Sequence, residues 1–174
     1  MSNTLARVRA ILITTPLRWN QLIEAVPEDL LHAPPAPGEW SALDCLQHLL
    51  DTERLVFPVR LEALRRGHGF PDFDPMQQGT GGTDAPAALA ASFAQLRARS
   101  LTALATVTED EFGRQGQHAK LGTVNLEQLL HTWAAHDLNH TIQAERAVMQ
   151  PFIRACGPWH VFFTGNRIDP EKVT

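Results

Sequence analysis

Apolar residues recur at three- and four-residue steps over several long stretches of the chain, separated by segments rich in Gly and Pro. Leu5 to Ile13 carries a short helical pattern. Thr15 followed by Pro16 reads as a second start signal, a hydroxyl at the cap and Pro at the first helical position, for a segment running to about Val26. The pattern leaves open whether these are one kinked helix or two. The stretch PEDLLHAPPAPGEWS reads as a loop, after which Ser41 with Asp44 three residues on opens a helix in capping-box fashion. That helix is predicted from Ala42 to about Arg66, with Gly67 as its stop and a kink at Pro58, where a backbone donor is missing.

A long Gly/Pro-rich segment, 67–85, follows and reads as a crossover or a lid over one end of the domain. Thr83 or Asp84 is the expected cap of the next helix, with Pro86 in its first turn. Its stripe is Leu89, Phe93, Leu96, Leu101, Leu104 and Val107, ending near Thr108. TEDEFGRQGQHAKLGTVN is either loop or a short hairpin-like excursion. Asn125 and Gln128 then mark the start of the last long helix, which runs without a breaker through Met149 to a stop at Pro151. In the tail, 151–174, Trp159, Phe162 and Phe163 are expected to cover an apolar groove. Four long helices predict an all-α, up-down-type four-helix bundle with long crossover connections, in one domain spanning residues 1–174.

Composition agrees with this picture. A bias toward Ala, Leu and Arg favours helices, and the chain has no Tyr to support a sheet. A formal net charge of -4 without a Lys/Arg run offers no broad positive field, which argues against nucleic acid or an anionic membrane as partner. The N-terminus reads as neither a signal peptide nor a membrane span, since no window approaches the roughly 20 apolar residues a span needs. Cys45 and Cys156 have no framework spacing and read as plain thiols, which makes the cytoplasm the simplest location.

Chemistry enters on the last helix. Its core stripe is Leu126, Leu129, Leu130, Trp133, His136, Asp137, His140, Ala144, Ala147 and Val148, so two histidines interrupt an apolar run. Residues at i and i+4 lie one above the other, which lets His136 and His140 aim two imidazoles at one ion. Burying an imidazole without a partner costs about 1 to 3 kcal/mol, and a shared metal removes that cost. The second helix offers His48, on the side holding Cys45, Thr52 and Leu55. The alternative is a bundle whose histidines bond one another or water. His32, His68, His118, His131 and His160 read as solvated or capping residues.

The segments APPAPGEWSALDCLQHLLDTE and LLHTWAAHDLNHTIQ, with TTP ahead of them, resemble in order and spacing the signatures of the DinB family of metalloenzymes. That group also includes bacillithiol- and mycothiol-dependent transferases and maleylpyruvate isomerase. The resemblance covers about Leu5 to Met149. It implies one divalent metal held by His48, His136 and His140 inside a four-helix bundle, a packing role for Trp40, and a homodimer, to which the apolar bias of the first and third helices also points.

Three histidine ligands leave coordination positions open, as a catalytic ion needs. Neutral imidazoles leave the site positive, which suits a thiolate. The expected activity is therefore a metal-dependent S-transferase using a low-molecular-weight thiol cosubstrate, or a hydrolase, acting on a small electrophilic molecule. The alternative is a non-catalytic module binding metal or ligand. Zn²⁺, Ni²⁺, Fe²⁺ and Mn²⁺ all accept imidazole. Asp137, Asp51, Glu53 and Gln143 are the candidates to orient the rings, and occupancy is expected to fall as pH drops through about 6.5.

Overall fold

The computed structural model describes residues 3–73 and 85–168. Its helices are α1 (Thr4–Ala25), the short α2 (Glu28–His32), α3 (Ala42–Leu55), α4 (Phe57–Arg65), α5 (Pro86–Leu104) and α6 (Leu126–Ala155); a hairpin of β1 (Gln115–His118) and β2 (Gly122–Asn125) precedes α6. The all-α expectation holds. α1 packs on α5 and α6, and so does α3, which places α1 and α3 at opposite corners of the bundle. A simple up-down order would set consecutive helices side by side. Here the connection from α1 to α3 crosses a diagonal, as does that from α5 to α6, so the crossovers dominate the topology.

Both expected capping boxes form: Ser41 with Asp44 starts α3, and Asn125 with Gln128 starts α6. The expected caps Thr83 and Asp84 lie outside the described residues, as does most of the 67–85 segment. α5 starts after Ala85, with Pro86 in its first turn.

Proline explains most of the boundary differences. α1 is one helix that passes through Pro16. Without an N–H, Pro16 cannot bond the carbonyl of Leu12, four residues back, and Arg97 Nη1 donates to that oxygen instead at 3.0 Å. At Pro58 the expected kink is a full break. The chain turns at Val56, and Pro58 then sits in the first turn of α4, where a missing donor costs nothing. α6 does not stop at Pro151 but continues to Ala155, forgoing one hydrogen bond near its end.

Two apolar clusters fill the bundle. One joins Val8, Leu12, Phe57, Leu61, Leu64, Leu104, Leu130 and Trp133; the other joins Trp19, Leu31, Leu46, Leu49, Leu89, Phe93 and Ala144. Between them in sequence on α3, α5 and α6 stand Glu53, Arg97 and Asp137, all buried. Arg97 Nη2 donates to Glu53 Oε2 at 2.8 Å and to Asp137 Oδ1 at 3.0 Å, while Nη1 reaches Asp137 Oδ2. Trp133 Nε1 adds a bond to Glu53 Oε2 at 3.3 Å. With its bond to Leu12, one guanidinium therefore ties α5 to α1, α3 and α6.

The hairpin takes the excursion form of the two open readings. Its first strand pairs with Phe70, through Phe70 N–H to the Gln117 carbonyl at 2.9 Å. Gly116 permits this approach, since a Cβ there would stand 2.4 Å from the His68 carbonyl oxygen. The tail departs from expectation. Gly157–Phe163 forms a 3₁₀ turn whose Trp159 and Phe162 rings are 67 % and 73 % exposed rather than seated in a groove. Polar contacts hold the segment to α6, from Arg146 Nε and Gln150 Nε2 to the Asn166 carbonyl.

Candidate metal centre

α3 and α6 pack side by side in the bundle, and their capping boxes fix where each begins. His48 lies two turns into α3; His136 and His140 sit one above the other on α6. One ring nitrogen from each of the three lies within 4.8 Å of the other two. His48 Nε2 is 3.0 Å from His136 Nε2. A tetrahedral zinc–imidazole site spaces its nitrogens roughly 3.3 Å apart, as bonds of about 2.0 to 2.1 Å require, so the group is already gathered to that scale.

The donor set suits a divalent ion in its protonation as well. Burial pushes His48 down to about 4 and His136 to about 2, each lowered further by the positive charge a neighbouring histidine would carry. Burial also lowers His140, against smaller opposing effects of Gln143 and Asp137. All three are therefore neutral near pH 7, and a neutral imidazole is what a metal takes. His140 Nδ1 lies 2.9 Å from Gln143 Oε1, which can only accept, so the proton sits on Nδ1 and Nε2 keeps its lone pair. The buried Nδ1 of His136 has no hydrogen-bond partner among the described residues.

Of the four residues expected to orient the rings, Gln143 does so. Asp137 and Glu53 instead neutralise Arg97, and Asp51 accepts from Gln47 Nε2 at 3.1 Å. Leu55, expected on the His48 side of its helix, is half exposed. Trp40 packs on the candidate ligands themselves, its ring 4.9 Å from that of His48 and stacked 5.7 Å from that of His140. Phe57 meets the His136 ring edge to face at 5.0 Å.

The triad opens onto a cleft of about 420 Å³. Val56, Phe57, Phe73 and Leu121 give it apolar walls, and Thr52, Arg60, His118 and Thr132 are its other polar groups besides Asp72 and Lys120. His118 fills the capping role expected of it and adds another. It caps the hairpin turn, its Nδ1 accepting from Lys120 N–H at 3.1 Å, but it is buried and lines the cleft. Arg60, His118 and Leu121 escape sequence reasoning because they come together only once β1 packs on α4 and pairs with Phe70, contacts between segments far apart in the chain. Cys45 is buried, its thiol pushed up to about 12, and takes no part.

A model of the DinB superfamily matches residues 11–144. Two solved structures share the fold. YfiT from Bacillus subtilis, a probable metal-dependent hydrolase with an unusual four-helix bundle topology, superposes with a TM-score of 0.76 at 18% identity, over 87% of this chain and 89% of its own. A DinB-like protein, YjoA from Bacillus subtilis, gives 0.55 at 19% identity, over 83% and 91% of the two chains. No curated protein matches the sequence. Among the described residues, no helix is long and apolar enough to cross a membrane.

Proposed function

The chain belongs to the DinB superfamily, and from that membership and the gathered histidines we propose that it is a metal-dependent enzyme with His48, His136 and His140 as ligands to one divalent ion. The observation that carries the reading is the convergence of three neutral imidazoles at the floor of an open cleft. An ion held there supplies Lewis acidity toward a small electrophile and toward its attacking partner, water or a low-molecular-weight thiol.

The chain's own residues prepare that chemistry. Gln143 holds His140 in the tautomer whose Nε2 faces away from it, and Trp40 and Phe57 clamp the rings from the side. With no carboxylate in the triad, the centre keeps its positive charge, which favours an anionic nucleophile such as a thiolate. The apolar walls lower the local dielectric and so strengthen each electrostatic interaction inside the cleft.

The test is metal analysis of untagged protein purified without added metal, followed by a screen of bacillithiol, mycothiol and glutathione against small electrophiles. About one ion per chain is expected. Replacing His48, His136 or His140 with Ala should remove most of it, whereas His131→Ala, on the exposed face of α6, should not. Protein that takes up no divalent metal would leave the three histidines as a hydrogen-bonded cluster and end the proposal. Full loading without turnover of any electrophile, with thiol or with water, would favour a non-catalytic binding module.

A further inference from the structure

Arg60 projects from α4 into the same cleft as the histidines. Its neighbours in sequence are paired: Arg54 lies 3.9 Å from Asp51, Arg65 3.0 Å from Glu111 and Arg66 2.6 Å from Glu62. Arg60 has no such carboxylate and no hydrogen bond from its guanidinium among the described residues. It lies over the Phe70 ring, 5.3 Å from the centroid, and is half-buried. Asp72, whose charge reaches Arg60, is engaged elsewhere, with the Phe73 N–H at 2.9 Å, His118 Nε2 at 3.6 Å and Lys120 Nζ at 3.8 Å.

Burial works against the Arg60 charge, and Asp72 only in part offsets this. The charge also reaches the histidines, being one of those that keep His136 neutral. A partly desolvated guanidinium with no carboxylate in ion-pair or hydrogen-bond reach among the described residues, set between apolar walls, is suited to a planar anion, which it can grip with two parallel N–H bonds.

We propose that Arg60 is the specificity-determining residue of the cleft and binds the carboxylate of a small substrate whose short apolar body lies along Val56, Phe57, Phe73 and Leu121 and whose reacting group faces the three histidines. This rests on the metal-enzyme reading for the last clause only. The carboxylate site stands on Arg60 itself.

Phenylacetate and its neutral analogue phenylacetamide are the probes, titrated calorimetrically into the full chain both stripped of metal and loaded with Zn²⁺. The stripped protein should bind phenylacetate at least about tenfold more tightly than the amide. Arg60→Gln should abolish that preference, and Arg60→Lys should keep part of it, with melting temperatures confirming that both variants fold. Equal binding of anion and amide by the stripped protein, or undiminished anion binding by Arg60→Gln, overturns the proposal. A preference seen only with Zn²⁺ and kept by Arg60→Gln sends the carboxylate to the ion, which overturns the Arg60 site and supports the metal centre. An Arg60-dependent preference in a protein that takes up no metal does the reverse.

Discussion

A histidine set apart from water behaves differently from one on a surface, and the triad makes the difference measurable. The ordinary imidazole takes a proton as pH falls through about 6.5. His48 resists until about 4 and His136 until about 2, because burial penalises the cation. In metal-free protein the unfolded chain therefore takes up protons that the folded chain refuses. The stability these neutral rings contribute is fully present above about 6.5 and is lost as pH falls toward the folded values. Urea denaturation in EDTA should show stability declining from pH 7 to pH 5, with a shallower decline in His136→Ala. Equal slopes for the two proteins would contradict the buried, neutral state of His136. The same burial moves proton competition for a bound ion below the 6.5 expected from the free side chain, so occupancy should persist into mildly acid solution.

Elements carry the next level of information, and here the sequence was legible wherever a local signal had a local consequence. The capping boxes at Ser41 and Asn125 set the starts of α3 and α6, and the i, i+4 spacing of His136 and His140 set their common face. Proline misled where the consequence was not local. Pro16 reads as a helix start, but the carbonyl it orphans is taken by a guanidinium from another helix, so α1 continues. Arg97 itself was invisible because Phe93 and Leu104 place it on an apolar stripe where a charge looks like an error; the signal that could have found it is the opposite charge of Glu53 and Asp137 on the two facing stripes. The hairpin depends on a similar long-range fit. Gly116→Ala would drive a methyl group against the His68 carbonyl and the Leu64 side chain. It should destabilise the protein by about 1 to 3 kcal/mol in thermal or urea unfolding, as overpacking does, and should loosen the hairpin that holds His118 and Leu121 at the cleft. Unchanged stability would mean that β1 does not need this close approach.

At the scale of the whole molecule, the Arg97 cluster is a polar layer between two apolar cores, and its charges do not cancel: one guanidinium faces two carboxylates. Burial opposes the guanidinium charge, but Asp137 and Glu53 more than restore it, and the pKa of Arg97 stands above its ordinary value. Arg97 is 1 % exposed, so its removal cannot be compensated by water. Arg97→Ala would leave Glu53 and Asp137 as buried, uncompensated anions and strip the Leu12 carbonyl of its donor, which breaks the tie among α1, α3, α5 and α6 at once. Removing one partner of a buried ion pair costs about 3 to 5 kcal/mol. A loss of that size is a large share of the 5 to 15 kcal/mol typical of a domain, so the variant should melt roughly 6 to 20 °C lower or fail to fold. Replacing all three residues together with apolar ones of similar volume should cost far less, because it removes the charges as well as their pairing. Metal uptake separates this role from that of the proposed ligands. The triple variant should still load about one ion per chain, since none of its three residues holds His48 or His140. If the triple variant folds yet takes up no metal, the polar layer orients the histidines as well as holding the bundle together.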